Sequence, residues 1–246
     1  MSFLTSWSRD LLISWDSTVA CDIHGRSSCA GAAVVSMVFR MPAIAISLLA
    51  LLIQAQAAKP PAFFKTPLTV QEMANKQAVV NTSAGTFVID LRPDVAPNHV
   101  GYFMKLAKEG AYNGTIFHRV IKYGIVQGGD PLSKDPAKKA LYGTGGLGLL
   151  KAEFSSRPMV RGCVAAVLQP NRPDSGGNQF FIVLSDQPSL TGKFTIFGEV
   201  ASGMDVVDHI GETPVDGDKP QKRIVLQKVT VRPAAPSPSP SPSPAE

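Results

Sequence analysis

Between about residues 70 and 232 the apolar residues recur mostly at strand spacing, in short runs cut by turn residues, and this pattern narrows the fold most. Gln77-Ala78-Val79-Val80-Asn81 and Thr86-Phe87-Val88-Ile89-Asp90-Leu91 read as two strands around the turn Thr82-Ser83-Ala84-Gly85. The last clear strand covers 223–231. The period turns helical in two places. Pro97 opens a helix with Val100, Phe103, Met104 and Ala107 on one face, and Gly110 ends it. Met204, Val207 and Ile210 mark a second helix. Many short strands with two helices, and no internal repeat, predict a mainly β fold: a closed or nearly closed antiparallel barrel.

The ends of the chain differ from this middle. Residues 41–53 are the one strongly apolar run, preceded by Arg40 and followed by Ala55-Gln56-Ala57. The run is shorter than the roughly 20 residues a membrane-crossing helix needs. A basic flank, a short apolar stretch and Ala-x-Ala mark a secretory signal peptide over 37–57, cleaved near Ala57, and hence a protein exported to the periplasm or secreted. A buried core helix is the competing reading, and Lys59-Pro60-Pro61 argues against it. Residues 1–36 have no sustained period and are expected to be an unstructured or non-native extension, with translation starting at Met37 or Met41. Residues 58–75 are expected to be a linker and 76–232 the folded domain. The Pro-Ser repeat over 233–246 cannot bury apolar surface and is expected to be an extended, disordered tail.

Several functions are excluded by what the residues lack. The net charge of +5 is spread thinly, with no run of four basic residues, so no nucleic-acid partner is expected. Of the three cysteines, Cys21 and Cys29 lie near the start and Cys163 stands alone; without Cys-x-x-Cys or a Cys/His cluster, no metal is expected. Gly143-Thr144-Gly145-Gly146-Leu147-Gly148 fits the dinucleotide fingerprint in letters only. That motif needs a strand before it and a helix after it inside a βαβ unit, so residues 143–148 read as a flexible surface loop. There is no Gly-x-Ser-x-Gly elbow and no His-Glu-x-x-His, and His118 and Asp130 form no triad by spacing. No cofactor is expected.

The chain instead carries Phe117-His118-Arg119-Val120-Ile121, then Gln127-Gly128-Gly129-Asp130-Pro131. Further on come Asn178-Gln179-Phe180-Phe181-Ile182 and the run from Leu190 through Gly192-Lys193-Phe194 to Gly198-Glu199-Val200. In this order and at these distances the segments closely resemble the cyclophilin family over about 76–232. The resemblance implies an eight-stranded closed antiparallel barrel capped by two helices. It also implies a peptidyl-prolyl cis/trans isomerase acting on X-Pro bonds of proline-containing polypeptides, aiding protein folding as a monomer, without metal or cofactor. By resemblance Arg119 is the catalytic arginine and Gln127 the glutamine that fixes the substrate backbone. Ile125, Phe181 and Leu190 line the proline pocket, Phe194 stands where the family often has His or Tyr, and Leu168 offers its backbone to the substrate. His118 is expected to be structural. A non-catalytic proline-peptide-binding or chaperone module on the same fold is the alternative, and such a binder would not need Arg119.

The sequence also departs from the family. After Arg119 the family usually runs Val-Ile-Pro-Gly-Phe-Met, whereas here Val120-Ile121-Lys122-Tyr123-Gly124-Ile125 puts glycine in place of the pocket phenylalanine. Tyr123 is expected to swing in as a substitute wall of the substrate site. Ser189 stands where many members carry a tryptophan that contacts cyclosporin, so strong drug binding is not expected.

Overall fold

The computed structural model describes residues 62–234. The signal-peptide, extension and most of the tail assignments fall outside these residues. In chain order the described elements are the helical turn α1 (Val70–Met73), β1 (Lys76–Thr82), β2 (Gly85–Leu91), α2 (Pro97–Lys108), β3 (Ile116–Ile121), β4 (Ile125–Gly128), β5 (Cys163–Ala166), β6 (Phe180–Val183), β7 (Ile196–Ser202), α3 (Met204–Gly211), the short pair β8 (Val215–Asp216) and β9 (Lys219–Pro220), and β10 (Ile224–Pro233). Eight strands close a barrel in the order β1-β10-β3-β4-β6-β5-β7-β2, and every neighbouring pair is antiparallel. The expected eight-stranded closed antiparallel barrel is therefore present. Closure leaves no unpaired edge within the barrel sheet.

Alternation along each strand sorts side chains into two apolar clusters. Phe180 and Ile182 of β6, Val164 and Ala166 of β5 and Val126 of β4 face the main core, with Val100, Phe103, Leu106 and Ala107 of α2 and Val207 and Ile210 of α3. Phe103 is its hub, with rings of Tyr112, Phe180 and Phe197 at centroid distances of 5.1, 6.1 and 5.4 Å. The alternate residues Phe181 and Val183, Cys163 and Ala165, and Ile196 of β7 pack with Met159 in a second cluster on the other side of the same strands. That cluster is the floor of the candidate site.

Two local features were legible only in part. The C-terminus of α2 ends as its glycine predicts: Gly110 takes φ +66°, its amide bonds the Ala107 carbonyl, and the Ala111 amide bonds that of Leu106. The segment expected as a linker packs on the barrel over its described part. Thr69 and Glu72 cap α1 reciprocally, Met73 is fully buried, and the Phe64 amide bonds the Leu149 carbonyl at 2.9 Å. Its single buried apolar residue falls short of a periodic pattern, which is why the sequence alone reads as a connector.

Candidate active site

A break in the β3 ladder builds the site. Phe117 pairs with Gly128 while Arg119 pairs with Gln127, so His118 is an extra residue in β3. Phe117 and Val120 both point into the main core. The bulge lets His118 and Arg119 lie between them without either being driven into that core. Beyond Gln127, the register runs to Phe181 on β6 and to Ala165 on β5. Arg119, Gln127 and Phe181 thus form one row across three strands. At about 4.8 Å per strand, the cation and the aromatic ring stem from backbone about 10 Å apart.

Polar contacts fix the first two members. Gln127 is buried, and its Nε2 donates to Gln179 Oε1 at 3.0 Å and lies 3.3 Å from His118 Nε2. Burial pushes the pKa of His118 down, which favours the neutral ring, and the tautomer protonated on Nδ1 accepts that bond at Nε2. Both amide hydrogens are then in use, and Gln127 Oε1 is the atom left toward the row, 3.5 Å from Arg119 Nη1. Gln179 in turn donates to the Gly145 carbonyl at 2.7 Å. Arg119 Nε donates to Asp218 Oδ2 at 2.7 Å. Among the described residues Nη2 has no hydrogen-bond partner, and the side chain is about one-third exposed (32%).

The apolar end is built from the second cluster. Phe181 is buried and meets Phe194 edge-on, with centroids 5.2 Å apart at 87°. Ile125, Leu190 and Phe194 are partly buried and pack on the same cluster. Leu190 closes a 3₁₀ turn, Pro188–Leu190, whose Ser189 is exposed. Leu168 is half-buried between two tethered amides: Val167 N bonds the Gln179 carbonyl at 3.1 Å, and Gln169 N bonds Ser175 Oγ at 2.7 Å. So Arg119, Gln127, Phe181, Ile125, Leu190 and Phe194 share one face, with Leu168 following β5.

Tyr123 does not join them. It is 83% exposed at φ +58° in the tight turn where the Gly124 amide bonds the Ile121 carbonyl. It lines a groove of about 290 Å³ with Lys122, Arg161, Leu184, Asp208 and Glu212 instead. The expected substitute wall is therefore absent: the left-handed backbone aims the ring toward α3. The position that would carry the wall, Gly124, is left without a side chain.

The glycine loop is also not the flexible segment its composition suggests. Asp130 is fully buried and accepts from the amides of Gly143 and Gly145, while the Gly146 carbonyl accepts from Asn178 N at 2.7 Å. A 3₁₀ segment, Pro136–Leu141, precedes it, and the described chain runs on to residue 162 without a helix. The residue that pattern-reading passed over is Asp218, the carboxylate that holds Arg119. It lies 99 positions away, so local spacing carries no sign of it.

Comparison with known proteins agrees with this geometry. The model of the cyclophilin type peptidyl-prolyl cis-trans isomerase/CLD family matches residues 78–231. A probable peptidyl-prolyl cis-trans isomerase of Brucella suis is 45% identical over 137 residues, covering 54% of this chain and 69% of that protein. The peptidyl-prolyl cis-trans isomerase-like 1 of Neurospora crassa is 37% identical over 155 residues, covering 62% and 91%. A crystal structure of a Cryptosporidium parvum cyclophilin type peptidyl-prolyl cis-trans isomerase, obtained in the presence of the dipeptide Ala-Pro, superposes with a TM-score of 0.57 at 27% identity, covering 63% of this chain and 98% of that one. With the family model spanning well over half of the chain and the barrel closed in the same way, this chain belongs to the cyclophilin family of peptidyl-prolyl cis-trans isomerases.

Proposed function

We propose that the row Arg119–Gln127–Phe181 seats an X-Pro segment and that Arg119 speeds its rotation by bonding the prolyl nitrogen of the twisted amide. Rotation is slow because resonance holds the peptide planar, with a barrier of about 18–20 kcal/mol. A planar amide nitrogen has no lone pair to offer. As the bond twists, that pair is recovered and the nitrogen becomes an acceptor. A guanidinium near it stabilises the twisted state and neither planar isomer, which is the condition for acceleration.

The observation that carries this reading is the row itself: a permanently charged donor whose Nη2 has no partner among the described residues, about 10 Å along the register from an aromatic floor. The proline ring would rest on Phe181 between Ile125, Leu190 and Phe194. Gln127 Oε1, turned toward the row by its two donated bonds, accepts from the substrate backbone, and Leu168 supplies main-chain contacts. We assign the clients to exported proteins, on the strength of Arg40, the 41–53 apolar run and Ala55-Gln56-Ala57.

Arg119→Ala should lower kcat/KM in a protease-coupled prolyl-peptide assay by about 10²-fold or more, the usual loss when one preorganised donor is removed. Because the Arg119–Asp218 pair is partly exposed, its loss should leave the fold intact. Arg119→Lys should restore little, since an ammonium lacks the planar fork. Near-normal rates for Arg119→Ala would refute the mechanism and favour a binding module.

A further inference from the structure

Arg119 is a long side chain with several rotatable bonds and is one-third exposed. Two contacts could orient it. The bond from Nη1 to Gln127 Oε1 is 3.5 Å, at the outer limit of a hydrogen bond, whereas that from Nε to Asp218 Oδ2 is 2.7 Å. Asp218 is therefore the principal tether. A guanidinium is planar, so holding Nε fixes the plane of the whole fork and the direction of its Nη groups.

Asp218 is itself held to the same strand. Its carbonyl accepts from the Val120 amide at 2.8 Å, one residue beyond Arg119. It is the second residue of a two-residue turn, Gly217-Asp218, between Asp216 and Lys219, which pair across β8 and β9. Gly217 supplies the positive φ, +63°, that the first position of such a turn requires. The small β8–β9 hairpin lies outside the barrel. It thus carries one carboxylate to the edge of the bulge and anchors it by main chain and side chain together.

We propose that Asp218 is a positioning residue for catalysis: it holds the Arg119 fork in the orientation that meets the twisted amide, and the β8–β9 hairpin exists at this site to present it. The inference rests on the assignment of Arg119 as the donor. Because the planar ground state offers Arg119 no acceptor, misplacing the fork should cost turnover and leave peptide binding unchanged.

The test compares Asp218→Ala, Asp218→Asn, Arg119→Ala and the double variant Arg119→Ala/Asp218→Ala, by prolyl-peptide kinetics and by titration with an Ala-Pro-containing peptide. Asp218→Ala should lower kcat/KM about tenfold, equivalent to about 1.4 kcal/mol, with peptide Kd within about twofold of the parent. Asp218→Asn keeps an oxygen for Nε and should recover most of the rate. In the Arg119→Ala background, Asp218→Ala should change nothing further. Full activity of Asp218→Ala, weakened peptide binding, or an equal loss in the Arg119→Ala background would overturn the positioning role. If Arg119→Ala itself is fully active, the donor assignment falls and this inference with it; if only Asp218→Ala is silent, the donor assignment stands.

Discussion

At the scale of single residues, the sharpest departure from the family is Gly124, next to the proposed proline pocket of Ile125, Phe181 and Leu190. The exposed Tyr123 faces α3 and contributes nothing to that pocket. Tyr123→Ala should therefore leave kcat/KM within about twofold, as expected of a surface change. Gly124→Phe should raise it, because a buried aromatic side chain is worth about 1.5–3 kcal/mol. A Cβ at 124 would lie 3.0 Å from Ile121 Cγ2, so Ile121 must give way. It would also lie 3.3 Å from Ile121 Cβ and from the Ile121 carbonyl oxygen, so the turn itself must give by a few tenths of an ångström. A gain of about tenfold is expected, at the low end of the burial range. A fall in rate for Tyr123→Ala, with no gain for Gly124→Phe, would mean that the pocket is already complete.

At the scale of elements, α2 shows a cap that local sequence does not contain. Ala96 has no side chain to satisfy the first amides of the helix. Glu153, from the long β4–β5 connection, does so instead: it accepts from the amides of Asn98 and His99 at 3.1 and 3.0 Å and from His99 Nδ1 at 2.6 Å. Burial alone would raise its pKa, but the bonds from His99 and from Asn98 outweigh it and hold the carboxyl below its ordinary value. A carboxyl depressed in the folded state stabilises it above the unfolded pKa, about 4.3 for Glu. That contribution is lost as pH falls through the lower folded value. Glu153→Gln should lower stability at pH 7 by about 1–2 kcal/mol and flatten the acid limb of stability against pH, as followed by urea unfolding. An unchanged acid limb would place the acid sensitivity elsewhere.

At the scale of the whole molecule, the barrel interior is filled by side chains and the candidate site lies on its outer side. A groove of about 1040 Å³ between α2 and β10 shares no residue with the Arg119 row. The proposed row lies on an outer strand face, which suits an extended polypeptide as the proposed partner. The proposed export adds a test at this scale. Mass spectrometry of the protein from native cells should find a mature chain beginning at Ala58. Peptides from residues 1–36 in the exported protein would overturn the assignment.

The sequence by itself pointed to a closed or nearly closed antiparallel barrel and the two longer helices through local periods, while the row rested on the resemblance of its motifs to the cyclophilin family. Strand and helix periods set which faces are buried, Pro97 and Gly110 bound α2, and Arg119, Gln127 and Phe181 each sit in a short motif readable within its own stretch of chain. Only the tertiary structure decided the rest. His118 and Arg119 share a bulge because the register of β4 leaves one residue over. Tyr123 leaves the pocket because its turn adopts a left-handed backbone. The loop at 143–148 is pinned because Asp130 is buried beneath it. Asp218 and Glu153 act on partners 99 and about 55 positions away. Such contacts depend on which parts of the chain the closed barrel brings together. No local pattern of propensity or spacing encodes that proximity, so residues that tune a site through a neighbour stay hidden until the fold is known.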